Sequence, residues 1–338
     1  MIIRLLSASI AAMTAFAMHT ATADPVAEFY KGKTIRLVLP NAPGGSTTLY
    51  GLTVSEYWSR HIPGNPAIAV EYRVGASGMI ASNYTYNAAP KDGTSLLMLI
   101  AGQLNQDTQP DNARYVTANF SYIGRAADLP RAIISWGESG FTNIEQALER
   151  EFTMATGARG SVTHLHPSLL NLIVGTKFKI VSGYRGAGPM YLALERGEAD
   201  AASVGFDGLL SIRGSWIKEN KVNVLAMVGS RVFPGFEQVP NIVDLAKDPK
   251  DRELLQYSAH QPDMGQVFVG PPGMPADRLE ALRRAFDATM KDPEFLATAK
   301  EKGMVIVPRT GEEMQAFAEK TAQRSQEVVD RLRAVVSE

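Results

Sequence analysis

Three stretches of this 338-residue chain hold residue types suited to gripping a small charged molecule: 41–48 (NAPGGSTT), 75–78 (GASG) and 157–164 (GARGSVTH). Each follows a short apolar run and opens a helical pattern. Glycine lets the backbone come close to a ligand and turns N–H groups toward it. A helix start adds about half an elementary positive charge. Together these features suit a carboxylate or a phosphate. An ordinary turn uses the same residues, so one loop alone says little. Such loops in both halves of the chain say more, because two bodies closing on one ligand need donors on each side.

Sharper chemistry has weaker support. Ser161, His164 and Asp207 are the residue types of a hydrolytic triad, yet no G-x-S-x-G elbow surrounds any of them. Ser161 and His164, three apart, equally make a helix cap and a first-turn residue. His164 and His166 form an H-x-H pair, but residues two apart on a helix diverge, and no cysteine or acidic cluster completes a metal site. Gly183-x-x-Gly186-x-Gly188 lacks the order of a dinucleotide fingerprint. Arg159 could hold a carboxylate through two parallel hydrogen bonds, or stand as a solvated loop tip. Tyr184, in a glycine-rich loop, is the aromatic residue best placed for a cleft.

The elements around these loops alternate. Apolar runs at 34–40, 67–73 and 95–100 read as strands, with helical patterns between them. The middle repeats the plan: a short helix at 143–150, strands at 152–156, 178–181, 201–204 and 222–228, and helices after the second and third glycine-rich turns. Alternation of this kind predicts parallel sheets with right-handed crossovers. The charged stretch 248–255 and the run 266–269 read as a return crossing. Helices are expected at 276–290 and 293–302, and a short strand at 304–307. A long amphipathic helix then starts at Thr310, with Glu313 completing a capping box.

Composition narrows the class. Arg4, an apolar run and Ala21-Thr22-Ala23 form a Sec-type leader, so 1–23 is expected to be removed on export. The leader's apolar run is short for a membrane span. No cysteine occurs, which excludes disulfides and a cysteine-linked lipid anchor. Charged residues make up 20% of the chain and the formal net charge is −1. That balance argues against nucleic acid or an anionic membrane surface as a partner. Anion selectivity must then come from a local site.

The order of these motifs resembles that of the Bug receptors, the extracytoplasmic solute receptors of tripartite tricarboxylate transporters. Leu37 through Gly45 looks like their first strand and proline–glycine–glycine loop. Arg73-Val74-Gly75-Ala76-Ser77-Gly78 is similar to their Arg-Pro-Gly-Ala-Gly-Gly segment, and Ala89 through Thr94 to their Pro-Asp-Gly-Tyr-Thr turn. Thr156-Gly157 through His164-Leu165 is similar to their second ligand loop. Ser182 through Gly186 and Pro271-Pro272-Gly273-Met274-Pro275 match later segments in the same order.

The resemblance implies a two-lobed α/β clamp of the Venus-flytrap type, with two doubly wound sheets and crossing segments between the lobes. Lobe 1 is expected at 24–127 with 262–338, and lobe 2 at 128–261. It implies a periplasmic monomer that binds a small organic carboxylate, uses no cofactor or metal, performs no chemistry and serves inner-membrane transporter subunits. Carried over by position, Ala42, Gly44, Gly45 and Ser46 are first-lobe donors, flanked by Asn41, with Ser77 and Gly78 lining the cleft. Ala158, Gly160, Ser161 and Thr163 are second-lobe donors, beside Arg159, His164 and Tyr184, and Asp207 closes the pocket. Gln103, just past the third strand, joins the candidate set. Thr48 stands where many members carry an aspartate, which disfavours a ligand with an amino group. A periplasmic hydrolase using Ser161 and His164, or a receptor for a membrane sensor, are the alternatives.

Overall fold

The structure is a computed structural model and describes residues 24–100 and 102–337; the expected leader at 1–23 lies outside the described residues. The chain opens with α1 (Pro25–Tyr30), β1 (Thr34–Leu39), α2 (Ser46–His61), β2 (Ala67–Tyr72), α3 (Met79–Asn87), β3 (Ser95–Leu99) and α4 (Gly102–Thr108). Next come β4 (Ser121–Arg125), β5 (Arg131–Trp136), α5 (Gln146–Glu149), β6 (Phe152–Ala155), α6 (Val162–Ile173), β7 (Phe178–Val181) and α7 (Ala187–Glu195). β8 (Ala201–Gly205), α8 (Phe206–Lys218), β9 (Val222–Val228) and α9 (Pro249–Met264) follow. The chain ends with β10 (Val267–Gly270), α10 (Ala276–Thr289), α11 (Pro293–Glu301), β11 (Arg309–Thr310), α12 (Gly311–Ala322) and α13 (Gln326–Ser337).

Two sheets form, with strand orders β11-β4-β10-β3-β1-β2 and β7-β6-β8-β5-β9. The βαβ runs pair in parallel, β1 with β2 and β3, β6 with β7 and β8. The sheets are nevertheless mixed. β10 runs antiparallel to β3 and β4, and β5 antiparallel to β8 and β9. β5 and β10 are the strands that arrive by crossing from the other sheet, so no local crossover forces them to run parallel. Apolar clusters cover both faces of each sheet. In the first, Trp58 meets Phe268 and Phe286 edge-on at 5.7 and 5.5 Å.

The strands pass from one sheet to the other twice, from β4 to β5 and from α9 to β10, and these two passes are bonded to each other; a third pass, 323–325, carries α13 back to the second sheet. Ala126 N–H donates to the Gln266 carbonyl (3.0 Å), Gln266 N–H to Ala127 (2.7 Å) and Leu129 N–H to Pro262 (2.8 Å). Arg125 is buried there and donates to the carbonyls of Asp263 and Val307.

Several expectations need correction. The charged stretch at 248–255 begins a 16-residue helix, α9; Asp248 caps it, and the buried Leu254, Leu255 and Ser258 form its inner stripe. The helix at 143–150 shrinks to the single turn α5, and the strand at 304–307 forms instead at β11. The capping box of Thr310 and Glu313 is present, but the long final helix breaks at 323–325 into α12 and α13. The final helix was expected on lobe 1. Instead Val328, Leu332 and Val335 bury themselves with Phe152 and Leu169 of the second sheet's core, because α13 presents its apolar stripe to α6 and α9.

Candidate ligand cleft

The first glycine-rich turn stands at the carboxyl end of β1, where open α/β sheets place their ligands. Gly45 caps α2 without any side-chain bond to the helix's first amides. Ala42, Gly44, Gly45 and Ser46 are exposed and Asn41 is half-buried. No atom lies within 4 Å of where a Cβ on Gly44 or Gly45 would stand, so the space over the turn is open. Thr48 does not face that space. It is buried, and its hydroxyl donates to the Ala42 carbonyl at 3.4 Å, which braces the turn.

The second wall comes from the other sheet, at the carboxyl end of β8. Gly205 caps α8, again with no side-chain bond, and Gly205 and Gly208 also face open space. These two helix starts line one cavity of about 360 Å³, with Ser46, Leu49 and Tyr50 on one side and Gly205, Asp207, Gly208 and Ile212 on the other. The first crossing, 128–131, lies between them, and Met304 and Val305 complete the wall. Tyr50 fixes that last segment: its hydroxyl donates to the Val305 carbonyl at 2.7 Å and accepts the Val305 N–H at 3.0 Å.

Asp207 does not stand free in this cavity. It pairs with Arg231, whose Nε lies 3.2 Å from Asp128. Burial pushes both carboxyls above their ordinary range, and the shared guanidinium offsets part of that. Arg131 differs. Its Nε is sealed from water without a partner, and among the described residues its guanidinium has no hydrogen bond or ion pair. Burial lowers its pKa to about 10.

The expected second-lobe loop is elsewhere. Arg159 and His164 line a separate cavity of about 440 Å³ with Ser168, Ser182 and Val335. Gly157 N–H donates to the Thr163 hydroxyl (2.8 Å), Ser161 N–H to the Ala158 carbonyl (3.0 Å), and the Ser161 and Thr163 hydroxyls pair at 2.8 Å. A Cβ on Gly160 would come within 3.2 Å of Val336 on α13. Ala158, Gly160, Ser161 and Thr163 therefore build a self-bonded turn at the end of α13 and do not line the cavity that holds Ser46. Tyr184 is half-buried against the Met190 and Trp216 cluster.

The 75–78 turn also takes a structural part. Its four residues all have positive φ, 133°, 46°, 52° and 90°. Gly78 is buried, and a Cβ there would press on Ile100 and Pro40 at 3.0 and 3.2 Å, so glycine is needed for α3 to dock. Ser77 is exposed and its carbonyl accepts Asn105 Nδ2 at 2.8 Å. Gln103 lies in the first turn of α4, and its side chain is outside the described set.

The triad residues are committed to other partners. Ser161 bonds Thr163, His164 Nδ1 lies 3.4 Å from the Ser168 hydroxyl, and Asp207 pairs with Arg231. His166 is buried against the Ser258 carbonyl and diverges from His164. The sequence reading missed Asp128, Arg131, Tyr50 and Arg231. Arg131 sits just after Leu129-Pro130, and only its place at the start of a strand entering from the other sheet makes it notable.

Two α/β bodies joined by paired crossings, with uncapped helix starts opening on one cleft, define a bilobal solute-binding protein. The family model described as "Tripartite tricarboxylate transporter family receptor" matches residues 59–333, and the chain belongs to that family. It is therefore a solute receptor rather than an enzyme. Protein BugT of Bordetella pertussis is 22% identical over 311 residues, 89% of this chain and 90% of that one. A TctC solute binding protein from Polaromonas superposes with a TM-score of 0.68 at 21% identity, covering 91% of this chain and 99% of its own. The R. palustris protein Rpa4515, solved with adipate, gives a TM-score of 0.60 at 20% identity, covering 89% and 97%. Among the described residues no helix is long and apolar enough to cross a membrane.

Proposed function

We propose that this chain captures a small organic carboxylate in the cleft between its two lobes and delivers it to inner-membrane subunits of a tripartite tricarboxylate-type transporter. The observation that carries this reading is the meeting of two uncapped helix starts, α2 from one sheet and α8 from the other, at one cavity. Their free amides and partial positive charge favour an anion. The exposed turn 42–46 and the 205–208 turn supply donors from opposite sides. Adipate in a relative of similar fold is a carboxylate of the expected kind.

The lobes are taken as 24–127 with 262–325, and 128–261 with α13, opening and closing about the paired crossings. The leader at 1–23 supports export to the periplasm, where the receptor would act as a monomer. Isothermal calorimetry against mono-, di- and aromatic carboxylates tests capture. Saturable heat with at least one of them is expected. Silence across the panel from folded, ligand-free protein would overturn it. Co-purification of the membrane subunits with the loaded receptor tests delivery.

A further inference from the structure

We propose, resting on the carboxylate-capture reading, that the cleft selects carboxylates with a bare hydrocarbon body and rejects hydroxylated ones such as sugar acids. The polar side chains at this cavity are already engaged. The Tyr50 hydroxyl is spent on Val305, donating to its carbonyl and accepting its N–H. The Ser211 hydroxyl donates to the Asp207 carbonyl at 2.7 Å. Asp128 and Asp207 share Arg231, and Oδ1 of Asp128 is sealed from water. The Arg131 charge is felt by the buried His166 and Tyr191, not by Asp128 or Asp207. What stays open is the Ser46 hydroxyl, the amides that begin α2 and α8, and one oxygen of Asp207 in the first turn of α8. All of these stand at the helix starts, where the charged end of a ligand belongs.

Away from the helix starts the wall is carbon. Leu49, Leu129, Pro130, Ile212 and Met304 line the cavity. Ile212, in the second turn of α8, is 63% exposed, so a ligand chain lying against it would cover apolar surface. A methylene group gains by leaving water for such a wall. A hydroxyl at the same place leaves water and finds no partner, which costs free energy. The cavity therefore reads the body of the ligand, whatever number of carboxylates the helix starts hold.

Two matched pairs test this: adipate against glucarate, and hexanoate against gluconate. Each pair keeps the six-carbon chain and the charge, and differs in whether the carbons outside the carboxylates carry hydroxyls. In calorimetry at neutral pH the wild type should bind the acid without hydroxyls at least about tenfold more tightly than its partner. Ile212→Ser should weaken adipate or hexanoate binding by about tenfold while keeping the melting temperature, because the side chain it removes is exposed. If that variant fails to fold, the wild-type pairs still decide. Hydroxylated acids bound as tightly as their partners, or full affinity for adipate and hexanoate in folded Ile212→Ser, would overturn the inference and leave carboxylate capture standing. Silence with all four acids, and with the wider panel, would remove capture itself.

Discussion

Gly265 lies so close to the Ala127 carbonyl that no Cβ fits between them. Its φ is +58°, and a Cβ would also come within 2.6 Å of the Asp128 Cα. The two crossings between the lobes are thus held backbone to backbone, and this glycine permits it. Gly265→Ala should lower unfolding stability by about 2–4 kcal/mol, measured by urea denaturation. Gly235→Ala, also at positive φ but in open space, should cost only about 1 kcal/mol. Equal costs would remove the special role of the crossing.

Asp107 ties α4 to the end of the chain. It is buried and accepts both the Tyr257 hydroxyl and Arg324, and its carbonyl accepts Arg333 Nε at 2.6 Å. Asp107→Ala should destabilise by about 3 kcal/mol, because it removes the buried acceptor shared by the buried Tyr257 hydroxyl and the half-buried Arg324. A change within about 0.5 kcal/mol in chemical denaturation, the usual scale for surface positions, would contradict this.

Stability should fall on mild acidification. Burial, and then Arg131, lower the His166 pKa from 6.5 to about 3, and burial also lowers His164 and His260. A histidine depressed in the folded state stabilises it above the unfolded pKa. That contribution is lost as pH falls from about 6.5 toward 3, by roughly 1 kcal/mol per unit for His166. Asp128 and Asp207, whose pKa values are raised, act in the opposite sense and offset part of the loss. Denaturation midpoints between pH 7 and 4 should fall in the wild type and fall less steeply in His166→Gln. Parallel curves would exclude His166 as the cause.

Much of this architecture was legible because local pattern and local structure agree. β7 (FKIV) and β9 (VNVLAMV) are apolar runs between turn residues, and Thr310 with Glu313 announces its cap. α9 was not legible, since its first turn is charged and its inner stripe is short. The antiparallel strands β5 and β10 take their direction from chain crossings, which no local periodicity records. The first-lobe turn followed from its glycines. The 157–164 loop carries the same signal, yet it bonds to itself, and the segment that does line the cleft, 205–208, passes straight from β8 into α8 with no loop between them, so of its residues only Asp207 stands out in the sequence. Arg131 is conspicuous only through the absence of a partner, a property of three dimensions.

The most direct test places one side chain on each wall of the cleft. Gly45→Val and Gly208→Val add carbon where nothing now lies within 4 Å, and neither residue has positive φ, so folding should be little affected. Calorimetric titration with the best carboxylate should show each single variant weakened by about tenfold or more at unchanged melting temperature. Undiminished affinity in either folded variant would contradict a ligand held between the two turns.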